Sequence, residues 1–66
     1  MGVATQLGSL ANVYSIIEET KDLAVLRIRG EVSLESLQSL YDRGFKVLIV
    51  DKDRFRTTIV TEKPKE

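Results

Sequence analysis

The chain has 66 residues, 10 basic and 10 acidic, with neither Cys nor His. Disulfides and the ordinary Zn and haem ligands are therefore excluded, and zero formal charge removes any global field toward nucleic acid or membrane. A chain this short buries only about 60% of its unfolded surface, so with those cross-links gone a partner subunit is the natural source of added stability.

Residues 1–9, "MGVATQLGS", hold two Gly and no charge and are expected to form a flexible lead-in. Residues 10–17, "LANVYSII", are rich in β-branched and aromatic residues and predict a strand. Val3, Leu7, Leu10, Tyr14 and Ile17 also fall at helical spacing. Gly8 and the β-branched Val13, Ile16 and Ile17 weigh against a helix, so the strand is preferred. "EETKD" is turn-like. "LAVLRIR", Leu23 to Arg29, predicts a second strand, with Ala24, Leu26 and Ile28 on one face and Leu23, Val25, Arg27 and Arg29 on the other. The five-residue link between the two strands favours a hairpin.

A helix follows. Ser33 is placed to cap it, its hydroxyl accepting from a free N–H of the first turn, and Val32 is placed to staple onto Leu37. Leu34, Leu37, Leu40 and Tyr41 form one apolar stripe. Gly44 provides the left-handed residue that ends helices, and Phe45 is positioned to touch Leu40, as in a Schellman ending. "FKVLIV", Phe45 to Val50, is apolar on both faces except at Lys46, the pattern of a central, covered strand. "DKDR", Asp51 to Arg54, predicts a turn. "FRTTIVT", Phe55 to Thr61, predicts the last strand, with Phe55 and Ile59 on one face and Arg56 and Val60 on the other. Residues 62–66 read as a solvated tail in which Pro64 blocks further pairing.

The order is ββαββ over residues 10–61, a small α+β domain whose four-stranded sheet carries one helix on one face. The other face is half apolar, and exposed mixed patches of this kind are common association surfaces. The expected function is a non-catalytic interaction module that self-associates, as a dimer, through that face or a strand edge, and docks to a protein partner. Tyr14, Val25, Arg27, Arg29 and Arg56 are the candidate interface residues.

The alternative is an RNA- or ribosome-associated binder. Residues 43–56 hold five basic against two acidic residues, whereas 31–42 hold three acidic and no basic ones. Lys46, Lys52, Arg54 and Arg56 are the candidate nucleic-acid contacts. Against this stands the plainer reading, in which Arg27 and Arg29 pair across strands with carboxylates and lie over apolar neighbours. "RGFKVLIV" matches the RNA-recognition octapeptide at Arg43, Gly44, Phe45 and Leu48. Val47 and Val50 stand where base-stacking aromatics are needed, and the Arg-Gly pair closes a helix, so the match is accidental. "VLIVD" resembles the first strand of nucleotide-binding folds, but the further β-α units and the Gly-rich turn are missing. Asp51 is then a turn residue.

Without His or Cys, and with Glu18–Glu19 and Asp51–Asp53 in polar turns, no catalytic constellation is found. A domain this small also offers little concave volume. No cofactor or metal is expected, since no acidic run has calcium-loop spacing. The apolar runs are too short to span a bilayer, and no secretory signal is read. "MGVATQ" departs from the myristoylation pattern at Gln6. A cytoplasmic location follows as the default, and many charges beside few Asn, Gln and Met fit adaptation to heat.

Overall fold

The computed structural model describes residues 2–65; residues 1 and 66, the ends of the expected lead-in and tail, lie outside the described residues. The chain runs α1 (Val3–Leu7), a 3-10 turn (Gly8–Asn12), β1 (Ser15–Glu19), β2 (Leu23–Arg29), α2 (Leu34–Asp42), β3 (Lys46–Lys52) and β4 (Arg56–Glu62). The four strands form one antiparallel-paired sheet in the order β1-β2-β4-β3. The small α+β architecture thus holds, with two helices in place of one.

The ends of α2 follow from local chemistry. Ser33 Oγ accepts from Ser36 N at 3.2 Å, closing the N-terminus. At the other end Phe45 N donates to Leu40 O and Gly44 N to Tyr41 O, both at 3.0 Å. This is the Schellman pair of bonds, and Gly44 takes the φ of +93° that it requires. The expected apolar stripe is only partly used. Leu40 is buried and Leu37 half-buried, while Leu34 and Tyr41 face water.

The core lies between one sheet face and the two helices. Val3, Leu7, Tyr14, Ala24, Leu26, Leu40, Phe45 and Ile59 are buried together, and Ile28, Val32, Leu37, Val47 and Val50 pack against them. Thr57 and Thr61 are also buried. Their hydroxyls donate to Gly30 O and Glu62 O, so neither is an orphaned polar group.

Four expectations are corrected. Residues 3–12 are helical, and β1 begins at Ser15 instead of Leu10. Val3 and Leu7 seal the core, because the helical spacing they share outweighs the Gly8 that follows. Gly8 itself reverses the chain at φ +59°, where an added Cβ would stand 2.8 Å from the Arg43 guanidinium. The tail is held down: Lys63 N donates to Asp22 O and Gln6 Nε2 to Pro64 O. Asp51 and Lys52 belong to β3, so the turn falls later, with Asp53 N donating to Arg56 O at 2.9 Å.

The fourth correction concerns β3, which is an edge strand. The chain leaves β2 through α2 and lays β3 parallel to β2 with a gap between. β4 then folds back antiparallel into that gap, pairing β2 on one side and β3 on the other. Leu48 and Ile49 are consequently about half exposed, 48% and 57%.

Glu19 fastens the N-terminal helix and the C-terminal segment to the sheet. Its carboxylate accepts from Val3 N at 2.9 Å and pairs with Lys63 Nζ, which also donates to Thr20 O. The Lys63 hydrogen bond first, then the Val3 N–H, hold this carboxyl below the usual carboxylate range.

Candidate functional site

No helix or loop among the described residues covers the second face of the sheet: the core cluster draws on the opposite face alone. Register fixes what this open face presents, because paired residues project from the same side. Leu23 opposes Glu62, which opposes Lys46. Next comes Val25, opposed by Val60 on one side and Glu18 on the other, with Ile49 beyond Val60. Then Ser15, Arg27, Thr58 and Asp51 stand in one line. Last, Arg29 opposes Arg56.

The second of these rows is apolar except for Glu18 at its β1 end, and a further apolar residue is added at each end. β1 and β3 each carry a register shift, at Ile16/Glu18 and at Val47/Ile49. In such a bulge two residues oppose one, so the extra residue is added beside its neighbour. Ile17 and Leu48 are those extra residues, 47% and 48% exposed. The row therefore reads the pair Ile17–Glu18, then Val25, Val60 and the pair Leu48–Ile49, crossing all four strands with one carboxylate at the β1 edge. Val25 and Val60 are half-buried by their neighbours within the sheet.

Of the expected interface residues, Val25, Arg27, Arg29 and Arg56 lie on this face. Tyr14 does not. It is 2% exposed, and its hydroxyl donates to Ser36 O at 3.0 Å, tying the segment just before β1 to α2. Burial pushes its phenol pKa up, ahead of the lowering by the Ser36 bond. The aromatic ring that was read as a surface anchor is a core residue because α1 folds over it.

The arginines do not pair with carboxylates as the plainer reading held. Among the described residues the ion pair is Lys63–Glu19. Arg27 faces Ser15 and Thr58 across its neighbours, and Arg29 faces Arg56. With Ser15, Asp53 and Phe55, these three arginines line an open depression of about 460 Å³. The candidate nucleic-acid residues are scattered by contrast. Lys46 and Lys52 occupy opposite ends of β3, Lys52 opposes the core-facing Thr57, and Arg54 sits in the turn.

Phe55, expected in the last strand on the face of Ile59, instead precedes β4 and stands 74% exposed at the depression's rim, because the turn extends to it; both bulges escaped sequence reasoning. The only hint of the bulges was the surplus of apolar residues in "YSIIEE" and "KVLIV". Among the described residues no group of three or more acidic side chains is disposed to hold a metal ion, and no helix is long and apolar enough to cross a membrane. In comparisons with known proteins, no family, no curated protein and no solved structure matches this chain.

Proposed function

We propose that the chain is a non-catalytic interaction module, and that two copies associate through their open sheet faces. The observation that carries this reading is the uncovered apolar row Ile17, Val25, Val60, Leu48 and Ile49. Leaving such a row in water is unfavourable, and a second sheet stacked about 10 Å away would cover it.

The charges beside the row favour one arrangement. Lys46 and Asp51 stand on either side of the bulge in β3, each two residues from it, and both face outward. A two-fold axis along the apolar row lays each strand over its own copy. It brings Lys46 of one protomer over Asp51 of the other, twice, and turns the Arg27 end toward the Glu62 end, at the cost of facing the exposed Glu18 at the β1 edge toward its own copy. An axis parallel to the strands would instead stack Arg29 on the second copy's Arg56, with like charges opposed. The first arrangement also carries the Arg29–Arg56 row past the edge of the second copy.

The face measures about 400 Å² per copy from strand spacing and rise. That is about half the standard area per partner, so the dimer is a weak one, micromolar or looser. A cytoplasmic setting and docking of the dimer onto a further protein belong to the same reading. The nucleic-acid alternative lacks a comparable observation, since its four residues form no common patch.

Charge exchange tests the arrangement. Lys46→Glu and Asp51→Lys each place two repulsive pairs in a homodimer and should sediment as monomers where the wild type dimerises. An equimolar mixture of the two variants makes both pairs attractive again and should restore the dimer. A mixture no more associated than its components, or a wild type that stays monomeric to about 1 mM, overturns the reading.

A further inference from the structure

We propose that the corner of the open face formed by Arg27, Arg29 and Arg56, with Phe55 at its rim, binds a compact phosphorylated ligand bearing a flat ring, of the class of a nucleoside monophosphate. Arg29 and Arg56 are register partners on adjacent strands. Directly opposed side chains have Cβ atoms about 4.5–5.5 Å apart, and like charges so placed repel. Arg27 is two residues along β2 on the same face, about 7 Å away. No carboxylate among the described residues forms an ion pair with any of the three. The Arg27 Nε is moreover buried without an acceptor, and a buried donor left unpaired is costly. An anion in the depression relieves the repulsion and supplies acceptors to the guanidinium donors.

Phe55 gives the corner its second chemistry. Its carbonyl accepts from Gly30 N at 2.9 Å, which fixes the loop beside the end of β2, while the side chain stays 74% exposed. An exposed aromatic next to guanidinium groups is a stacking platform for a planar ring. The depression, about 460 Å³, falls in the range of small-molecule sites. Its neighbours limit the ligand's length. Asp53 lines the depression, and Asp51, Glu18 and Glu62 lie further along the open face. A polyanion laid across the sheet would meet those carboxylates, so a single phosphate with its ring fits the corner and a nucleic-acid strand does not.

The test is titration of the full chain with adenosine monophosphate, inorganic phosphate and unphosphorylated adenosine, read by amide chemical shifts. The corner is complete in one protomer, and the titration is run below the dimer's dissociation constant, because the proposed pairing brings a second copy over Arg27. The expected result is perturbation centred on Arg27, Arg29, Phe55 and Arg56, with adenosine binding about tenfold more weakly than the monophosphate. Arg29→Gln should lose about tenfold for both phosphate and the monophosphate, whereas Phe55→Leu should weaken the monophosphate and leave phosphate unchanged. Arg56→Gln removes the opposed charge, so its thermal midpoint without ligand should equal or exceed the wild type's, which separates lost binding from lost folding. Absence of perturbation at about 10 mM ligand, an equal response to adenosine and its monophosphate, or tighter binding of a single-stranded oligonucleotide centred on Lys52 and Arg54 overturns the proposal.

Discussion

Replacing Ile49 by Thr trims the apolar row at its most exposed point while keeping a β-branched residue suited to a strand. Fully burying an Ile is worth about 1.5–3 kcal/mol. Ile49 is already 43% covered within the protomer, as the complement of its 57% exposure, so covering the rest adds about 1 kcal/mol per copy. Each dimer contains two copies and loses about 2 kcal/mol, which raises the dissociation constant about 30-fold. The fold should barely respond, because Ile49 is outside the buried cluster. Sedimentation velocity across a dilution series measures the first quantity, and thermal unfolding of the dilute, monomeric protein measures the second. A variant that dimerises as well as the wild type would show that the row is not the contact. A variant with a sharply lowered thermal midpoint when dilute would show that Ile49 serves the monomer's own core.

Two further outcomes follow from the interior. Tyr14→Phe removes the donor to Ser36 O and should cost about 1 kcal/mol in urea unfolding; self-association should be unchanged, since the ring is enclosed. Glu19 has a folded-state pKa below its unfolded value. Its stabilisation is therefore complete above the unfolded pKa and is lost as pH falls through the folded one. Thermal midpoints measured from neutral pH into the acid range should fall less steeply in Glu19→Gln than in the wild type. Identical slopes would mean that the Val3 and Lys63 contacts do not persist in solution.

Local signals in the sequence were readable because they act over one turn of chain. Ser33 as a cap, Gly44 and Phe45 as a helix ending, and the alternation of Ala24, Leu26 and Ile28 against Val25, Arg27 and Arg29 all involve neighbours within a few residues. The short helix α1 was less legible. Val3 and Leu7 gave the correct spacing, but Gly8 belongs to the 3-10 turn that follows and Ile16 and Ile17 to β1, so neither bears on α1. Tyr14 was misplaced for a related reason: a side chain with an apolar ring and a polar tip suits an interface or a core equally until the element covering it is known. Strand order was beyond local reading altogether, because the return of β4 between β2 and β3 depends on residues far apart in the chain.

The composition of the strands becomes intelligible once that order is known. A strand apolar on both faces suggests the middle of a covered sheet, yet here the middle strands carry Arg27, Arg29, Thr57, Thr58 and Thr61, and the edge strand carries Val47, Leu48, Ile49 and Val50. Val47 and Val50 serve the core side, with Phe45. Leu48 and Ile49 lie outside the core cluster and are about half exposed. Exposed apolar edges invite pairing with further chains, and a bulge is one of the ways proteins prevent it. Both edge strands of this sheet are bulged. The same irregularity that spoils each edge as a template places an additional apolar side chain, Ile17 or Leu48, at the end of the open row. Edge-to-edge growth is thereby obstructed while the open face is enlarged, which is the combination that the proposed closed pair requires.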